Sequence, residues 1–279
     1  MVNASPALFS ELVIEPRHGW QPVAFREIWH YRDVLRVLVW RDIKIRYRQT
    51  LLGGLWAVLQ PLIAMAIFTF FFNRMARVAS DGPPYQLFAF VGLLPWTFFS
   101  NAISLSSNSL ITNQTLVSKI YFPRVFIPLG AIGALLLDLA IGLVLAFALM
   151  CYYHCPLSRA LWLLPLYVGG SIAAAAGLGF LLSAVNVAYR DVKYMVPFVV
   201  QMGMFVTPVI YPISYLPARY RPYLALNPMT GMVLGFRHAL LGTAVDQKLI
   251  AISLASAAVT LVGGLLVFRR MELKFADII

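Results

Sequence analysis

Long apolar runs separated by short polar stretches dominate the chain. Six of them, near 51–73, 87–107, 127–149, 161–185, 195–213 and 249–268, meet the length of about 20 residues that a helix needs to cross a bilayer. The pattern predicts an all-α integral membrane protein with six transmembrane helices. The second run contains Pro95, Asn101 and several serines, and the fifth contains Pro197, Pro208 and Pro212. A proline inside a span frees a carbonyl that neighbouring helices have to satisfy. Ahead of the first run, residues 25–48 follow a helical period. Ile28, Tyr31, Val34, Leu35, Leu38 and Val39 share an arc of about 140°. Arg32 and Arg36 border that arc, with Trp29 and Trp40 just beyond. This predicts an amphipathic helix, lying in the headgroup plane or packed on a cytoplasmic partner. Between the fifth and sixth runs, residues 214–248 hold one more apolar stretch, 229–236, too short to cross. Asn227-Pro228 in front of it can open a helix with proline at its first position. A re-entrant or interfacial hairpin is expected there.

Composition supports the membrane reading. The 279 residues are 61% hydrophobic and 12% charged, about half the charged fraction of soluble domains. Mean hydropathy is +0.79. The net charge of +11 is uneven, with eight of 22 Lys and Arg in the first 50 residues. In such a chain, clustered cations indicate orientation and anionic headgroups before nucleic acid. The first 50 residues show no apolar run followed by a small-residue cleavage site, so the N-terminus is expected to stay in the cytoplasm. With six spans the tail returns there too, and 15 of the 22 Lys and Arg then fall on the cytoplasmic side, as the positive-inside rule requires. The expected organisation is a cytoplasmic N-terminus over 1–50, a six-span domain over 51–268 and a cytoplasmic tail over 269–279.

Candidate chemistry is sparse. Asp138 lies inside the third span, where a carboxylate has to be paired or wet. It is either a pathway residue or a hydrogen-bonding partner for a neighbouring helix. Gly169, Ala173 and Gly177 recur every four residues in the fourth span, a spacing that lets helix backbones approach. Aromatic clusters, Phe68 and Phe70–Phe72 in the first span and Trp96, Phe98 and Phe99 in the second, suit an interfacial belt and packing or a channel that meets the C–H faces of sugars. Cys151, His154 and Cys155 are too few for a closed metal site; they read as unpaired residues, with a disulfide open only to a periplasmic loop. No Gly-rich phosphate loop, Gly-x-Ser-x-Gly elbow or His-Glu-x-x-His motif is present. A transporter built on this chain would therefore draw energy from another subunit or an ion gradient, and one acid in the spans argues against the gradient. Two loops assigned to the cytoplasm carry distinctive sequence: 109–124, expected to form a short helix ended by Pro123, and 186–194. Asn113-Gln114-Thr115 matches a glycosylation acceptor but lies on the wrong side.

Several stretches together resemble one family. They are Arg41–Tyr47 with Leu52–Pro61, Gly92-Leu93-Leu94-Pro95-Trp96, Lys119–Arg124, Asn186–Val192, Thr207-Pro208-Val209-Ile210-Tyr211-Pro212, and Leu226–Gly231 with Phe236-Arg237 and Leu240-Leu241-Gly242. In this order, over about 41–242, they resemble the permease subunits of type-2 ABC exporters for polysaccharides and polyol phosphates. The resemblance implies a homodimer of permeases above two ATPase subunits. ATP and magnesium would belong to those partners, with no cofactor, metal site, catalytic residue or nucleic acid on this chain. It implies export of a lipid-linked glycan of the O-antigen, capsule or teichoic-acid type across a bacterial inner membrane. Loop 109–124 would be the coupling helix, with Asn113, Gln114, Leu116, Ser118, Lys119 and Tyr121, joined by Arg190 and Asp191, contacting the ATPase. Trp56, Phe72, Trp96, Phe98, Phe99 and Tyr211 are the candidates for the sugar-contacting channel. The rivals are a small-lipid or drug exporter of the same architecture, a membrane-embedded glycosyltransferase, and a non-transporting scaffold.

Overall fold

A computed structural model of the protein describes residues 29, 31–48, 55–75, 77, 80, 82–119, 122–189, 191–272 and 275. All regular structure among them is helical. A first helix, α1 (Arg32–Tyr47), precedes α2 (Leu55–Met75), which finishes in π-helical turns from Thr69. Then come α3 (Tyr85–Thr112), the short α4 (Gln114–Lys119), α5 (Phe126–Tyr152) and α6 (Leu161–Ala188). The chain continues through α7 (Val192–Val206), α8 (Arg221–Ala225), α9 (Pro228–Leu241) and α10 (Gln247–Glu272).

Five of these helices, α2, α3, α5, α6 and α10, are long and apolar enough to cross a membrane. The sixth expected span, 195–213, is not one helix. Its helical part, α7, has 15 residues, roughly 22 Å, against a hydrocarbon core of about 30 Å. Pro208 and Pro212 supply no N–H to continue the ladder, and residues 207–212 run on without helix. The short helix expected to end at Pro123 is α4, described over Gln114–Lys119.

The helices run alternately between two ends of the bundle, the α4 end and the α9 end. Helix α3 is the central member: nearly its whole apolar length is buried, and it packs on α5, α6, α9, α2 and α7. The most extensive contact of the fold joins α6 to α10. There the backbones touch: a Cβ on Gly264 would overlap the Gly177 carbonyl, and one on Gly177 would meet the backbone at Thr260 and Leu261. Of the small residues expected to mediate close packing, Gly177 does so, whereas Gly169 has nothing within 4 Å of its would-be Cβ.

Helix α1 lies along the first half of α5. Its apolar arc, with Leu38 buried and Tyr31, Val34 and Leu35 partly so, packs against the protein's own core. Gly130 and Gly133 of α5 leave room for Leu38 and Val39. The exposed face of α1 carries Val37, Trp40 and Ile45, and Trp29 ahead of the helix is exposed too, with Arg32 over the Trp29 ring at 4.7 Å and Lys44 over the Trp40 ring at 5.5 Å. Between α7 and α10, the apolar run 229–236 is the core of α9, wedged against α3, α6 and α10. Asn227 caps it through Met229 N–H at 3.0 Å, Pro228 takes the first turn, and Gly242 ends it at φ +69°. Cys151 and Cys155 are unpaired.

Candidate functional site

The α9 end is organised around one cation. Arg237 is 1% exposed, the largest fully buried side chain of the described residues. Its guanidinium donates to the carbonyls of Pro208 at 2.7 Å and Val209, and through Nε to that of Phe88 at 3.2 Å. It also lies 3.5 Å from the centroid of the Phe88 ring. Tyr85 Oη donates to the Ile210 carbonyl at 2.8 Å, and Asn227 Nδ2 to Thr207 Oγ1 at 2.8 Å. The segment that leaves the α7 ladder thus recovers partners for its backbone from α3 and α9, as buried polar groups require. Gly92 is part of this arrangement, since a Cβ there would run into the guanidinium. Four stretches that looked separate in sequence, around Gly92, Thr207–Pro212, Asn227-Pro228 and Phe236-Arg237, therefore meet at one point. In sequence Arg237 stood out only as part of the Phe236-Arg237 stretch. The missed signal was its position directly after an apolar run that a helix would bury.

Tyr211, a channel candidate, donates instead to the carbonyls of Phe205 and Val206, each at 3.2 Å, and so closes the end of α7. On α10, Ser253 Oγ donates to the Ala225 carbonyl at 2.9 Å and accepts from Gly231 N–H at 3.0 Å, while Ser256 Oγ donates to the Leu226 carbonyl. These bonds tie α8 and α9 to α10.

At the α4 end, Asn113 ends α3 with its Nδ2 on the Ser109 carbonyl at 2.8 Å. In α4, Val117 is buried and Leu116 half-buried, and they anchor the helix, while Gln114, Ser118 and Lys119 stand exposed. Asp191 is exposed immediately before α7. Tyr121 and Arg190 lie outside the described residues. Asn186, buried at the end of α6, donates to the Ser107 carbonyl at 2.8 Å and Asn108 Oδ1 at 3.1 Å, which fixes the end of α6 beside the end of α3.

Asp138 meets two partners, both on α1: Arg46 Nη2 at 2.8 Å and the Tyr47 hydroxyl, which donates to it. Burial, and next the hydrogen bond to Asp138, push Tyr47 up to about 12, so it remains a donor at neutral pH. Asp138→Asn keeps an acceptor for Tyr47 but ends the ion pair. It is expected to cost about 1–2 kcal/mol, between the exposed and buried limits, measured as a lower unfolding temperature in detergent.

The remaining channel candidates separate by burial. Trp96, Phe98 and Phe99 are 5%, 4% and 6% exposed. Trp96 packs on Phe99 at 5.7 Å between ring centres and faces Gly203 of α7. In this conformation these three rings are core and offer no surface to a passing ligand, because α3, which bears them, is enclosed on nearly all sides. Phe72 is partly buried, 5.9 Å from Phe68 and against Tyr85 and Phe88. Trp56 is 48% exposed on α2. Further exposed rings lie on α2 (Phe70, Phe71) and α7 (Tyr194, Phe198, Phe205). One polar residue sits among the rings in each case. Gln60 shares a face of α2 with Trp56, Ile63, Ile67 and Phe71, and Gln201 shares a face of α7 with Tyr194, Phe198 and Phe205, all of them exposed.

Comparison with known proteins places this geometry. Residues 33–241 match the family model described as ABC-2 type transporter. The chain is 28% identical over 249 residues to an O-antigen export system permease protein, RfbA, of Klebsiella pneumoniae, covering 88% of this chain and 95% of that one. It is 32% identical over 215 residues to the O-antigen export system permease protein RfbA of Myxococcus xanthus, covering 76% and 82%. It is 25% identical over 245 residues to the polysialic acid transport protein KpsM of Escherichia coli, covering 85% and 93%.

Proposed function

This chain belongs to the ABC-2 type transporter family, and we propose that it is the permease of an ATP-driven exporter that moves a lipid-linked polysaccharide across the bacterial inner membrane. The observation that carries this reading is the near end-to-end similarity to permeases named for O-antigen export. The chain works as a transport subunit rather than an enzyme. ATP and magnesium are bound and hydrolysed on separate ATPase chains.

In this reading the α4 end is cytoplasmic, with both chain termini, and α4 is the coupling helix. Its exposed residues Gln114, Ser118 and Lys119 dock into the ATPase, with Asn113, Leu116, Tyr121, Arg190 and Asp191 around them. Helices α8 and α9 form a re-entrant hairpin that closes the outer side. Two copies assemble through the elements that one copy leaves least covered. Helix α2 has no buried residue, and α7 buries only Val192 and Val196. The glycan path runs along the α2 and α7 faces, where amides of Gln60 and Gln201 can bond hydroxyls and the flanking rings can take the C–H faces of sugars. Trp56 stays in this path. Trp96, Phe98 and Phe99 shape it from behind.

Replacing Gln114, Ser118 and Lys119 together by Ala is expected to abolish capture of the ATPase by the tagged permease while the permease still purifies as a folded protein. Undiminished capture and transport would count against the coupling role of α4.

A further inference from the structure

Helix α10 touches both ends of the bundle through defined polar joints. At the α4 end, Arg124 and Glu272 bond reciprocally. The Arg124 backbone N–H donates to Glu272 Oε1 at 3.2 Å, and Arg124 Nη1 donates to the Glu272 backbone carbonyl at 2.7 Å. Arg269 holds the other carboxylate oxygen at 3.1 Å. Arg124 lies five residues beyond Lys119, so this joint fixes the exit of the α4 loop onto the end of α10. Phe268 packs beside it, 5.7 Å from Phe180 and 5.4 Å from Phe275. At the α9 end, Ser253 and Ser256 hold the carbonyls of Ala225 and Leu226 and the N–H of Gly231.

Helix α10 is uninterrupted over its 26 residues and has no proline; from Ser253 to Glu272 it spans roughly 29 Å. Its backbone is pressed on that of α6 at Gly264 and Gly177. A helix bonded at both ends in this way is built to move as one body. We propose that α10 is the strut that transmits the state of the coupling loop to the hairpin, with Arg124 and Glu272 as its inner joint and Ser253 and Ser256 as its outer joint. These four are positioning residues. The proposal rests on the reading of α4 as the ATPase-docking helix.

The test uses the full permease reconstituted with its ATPase in lipid nanodiscs, where both faces of the membrane meet solvent. Tyr223→Cys, at an exposed position of α8, reports on the hairpin in a Cys151→Ser, Cys155→Ser background. Its labelling by a membrane-impermeant maleimide is timed with and without ATP and vanadate, and capture of the ATPase is measured in parallel. The reporter protein is expected to change its labelling rate about fivefold on nucleotide trapping, in the usual range of coupling between sites. Adding Arg124→Ala with Glu272→Ala, or Ser253→Ala with Ser256→Ala, is expected to reduce that change to below about twofold while capture persists. Glu272→Gln, which still accepts from the Arg124 N–H, retains most of it and separates loss of the joint from loss of the fold. A full response in both double-alanine variants overturns the strut. So does a hairpin that ignores nucleotide in the reporter protein with ATPase bound. Failure of the reporter protein to capture an ATPase counts against the proposed function itself, and the strut falls with it.

Discussion

Arg237→Ala is expected to lower stability by about 3–5 kcal/mol, the severe end of single substitutions, reached when a buried hydrogen-bond network loses its donor. Most of the effect comes from what the guanidinium leaves behind. The carbonyls of Pro208, Val209 and Phe88 lose a donor in a dry interior, and each buried polar group stripped of its partner costs about 1–3 kcal/mol. A single-domain protein has about 5–15 kcal/mol in total, so the variant should purify poorly, melt at a markedly lower temperature in detergent and be cut by protease within residues 207–227. Arg237→Lys should be intermediate, because one ammonium replaces a planar fork that reaches several carbonyls at once. Gly92→Ala tests the same point with Arg237 still present. Its methyl would occupy the space of the guanidinium, and destabilisation in the same direction is expected. A melting temperature of Arg237→Ala equal to that of the unchanged protein would remove the central role assigned to this side chain.

Gly264→Leu should be comparably severe. Overpacked cores usually lose about 1–3 kcal/mol because flexible side chains give way. Here the obstacle is the Gly177 backbone itself, so α6 and α10 must separate along the largest helix–helix contact of the fold. A loss of about 3 kcal/mol or more follows, at the upper end of that range, read as loss of folded material by size-exclusion chromatography. Gly263→Leu is the matched control. Its would-be Cβ has nothing within 4 Å, and the change should fall within about 0.5 kcal/mol of neutral. Equal behaviour of the two neighbours would mean that α6 and α10 do not cross by backbone contact.

Hydrophobic pattern alone located the long helices α2, α3, α5, α6 and α10, because an apolar run of span length has few other folds open to it. The same reasoning over-extended the fifth span. Hydropathy does not register that Pro208 and Pro212 end the ladder while the chain stays buried on borrowed hydrogen bonds. The start of α9 was legible from Asn227-Pro228, a local signal. Arg237 was not, because its partners, Phe88 and Pro208, are distant in sequence. Periodicity says only that the apolar arc of α1 needs a cover, not what covers it; in the structure Leu38 and Val39 meet Gly130 and Gly133 of α5. Asp138 was recognisable as a residue in need of partners, yet Arg46 and Tyr47 could not be assigned from spacing. The channel aromatics were chosen by residue type. Trp96, Phe98 and Phe99 are buried because α3 is the central helix, while Trp56 stands exposed on α2.

The most direct test of the central claim is transport. The permease and its ATPase, co-purified and reconstituted into liposomes whose cytoplasmic face is outward, would be given ATP and a polysaccharide attached to its lipid carrier in the outer leaflet. The glycan is expected to become inaccessible to an external glycosidase in an ATP-dependent manner, and to remain accessible when Gln114, Ser118 and Lys119 are replaced by Ala. ATP hydrolysis by a fully assembled complex with no movement of the glycan would contradict the assignment.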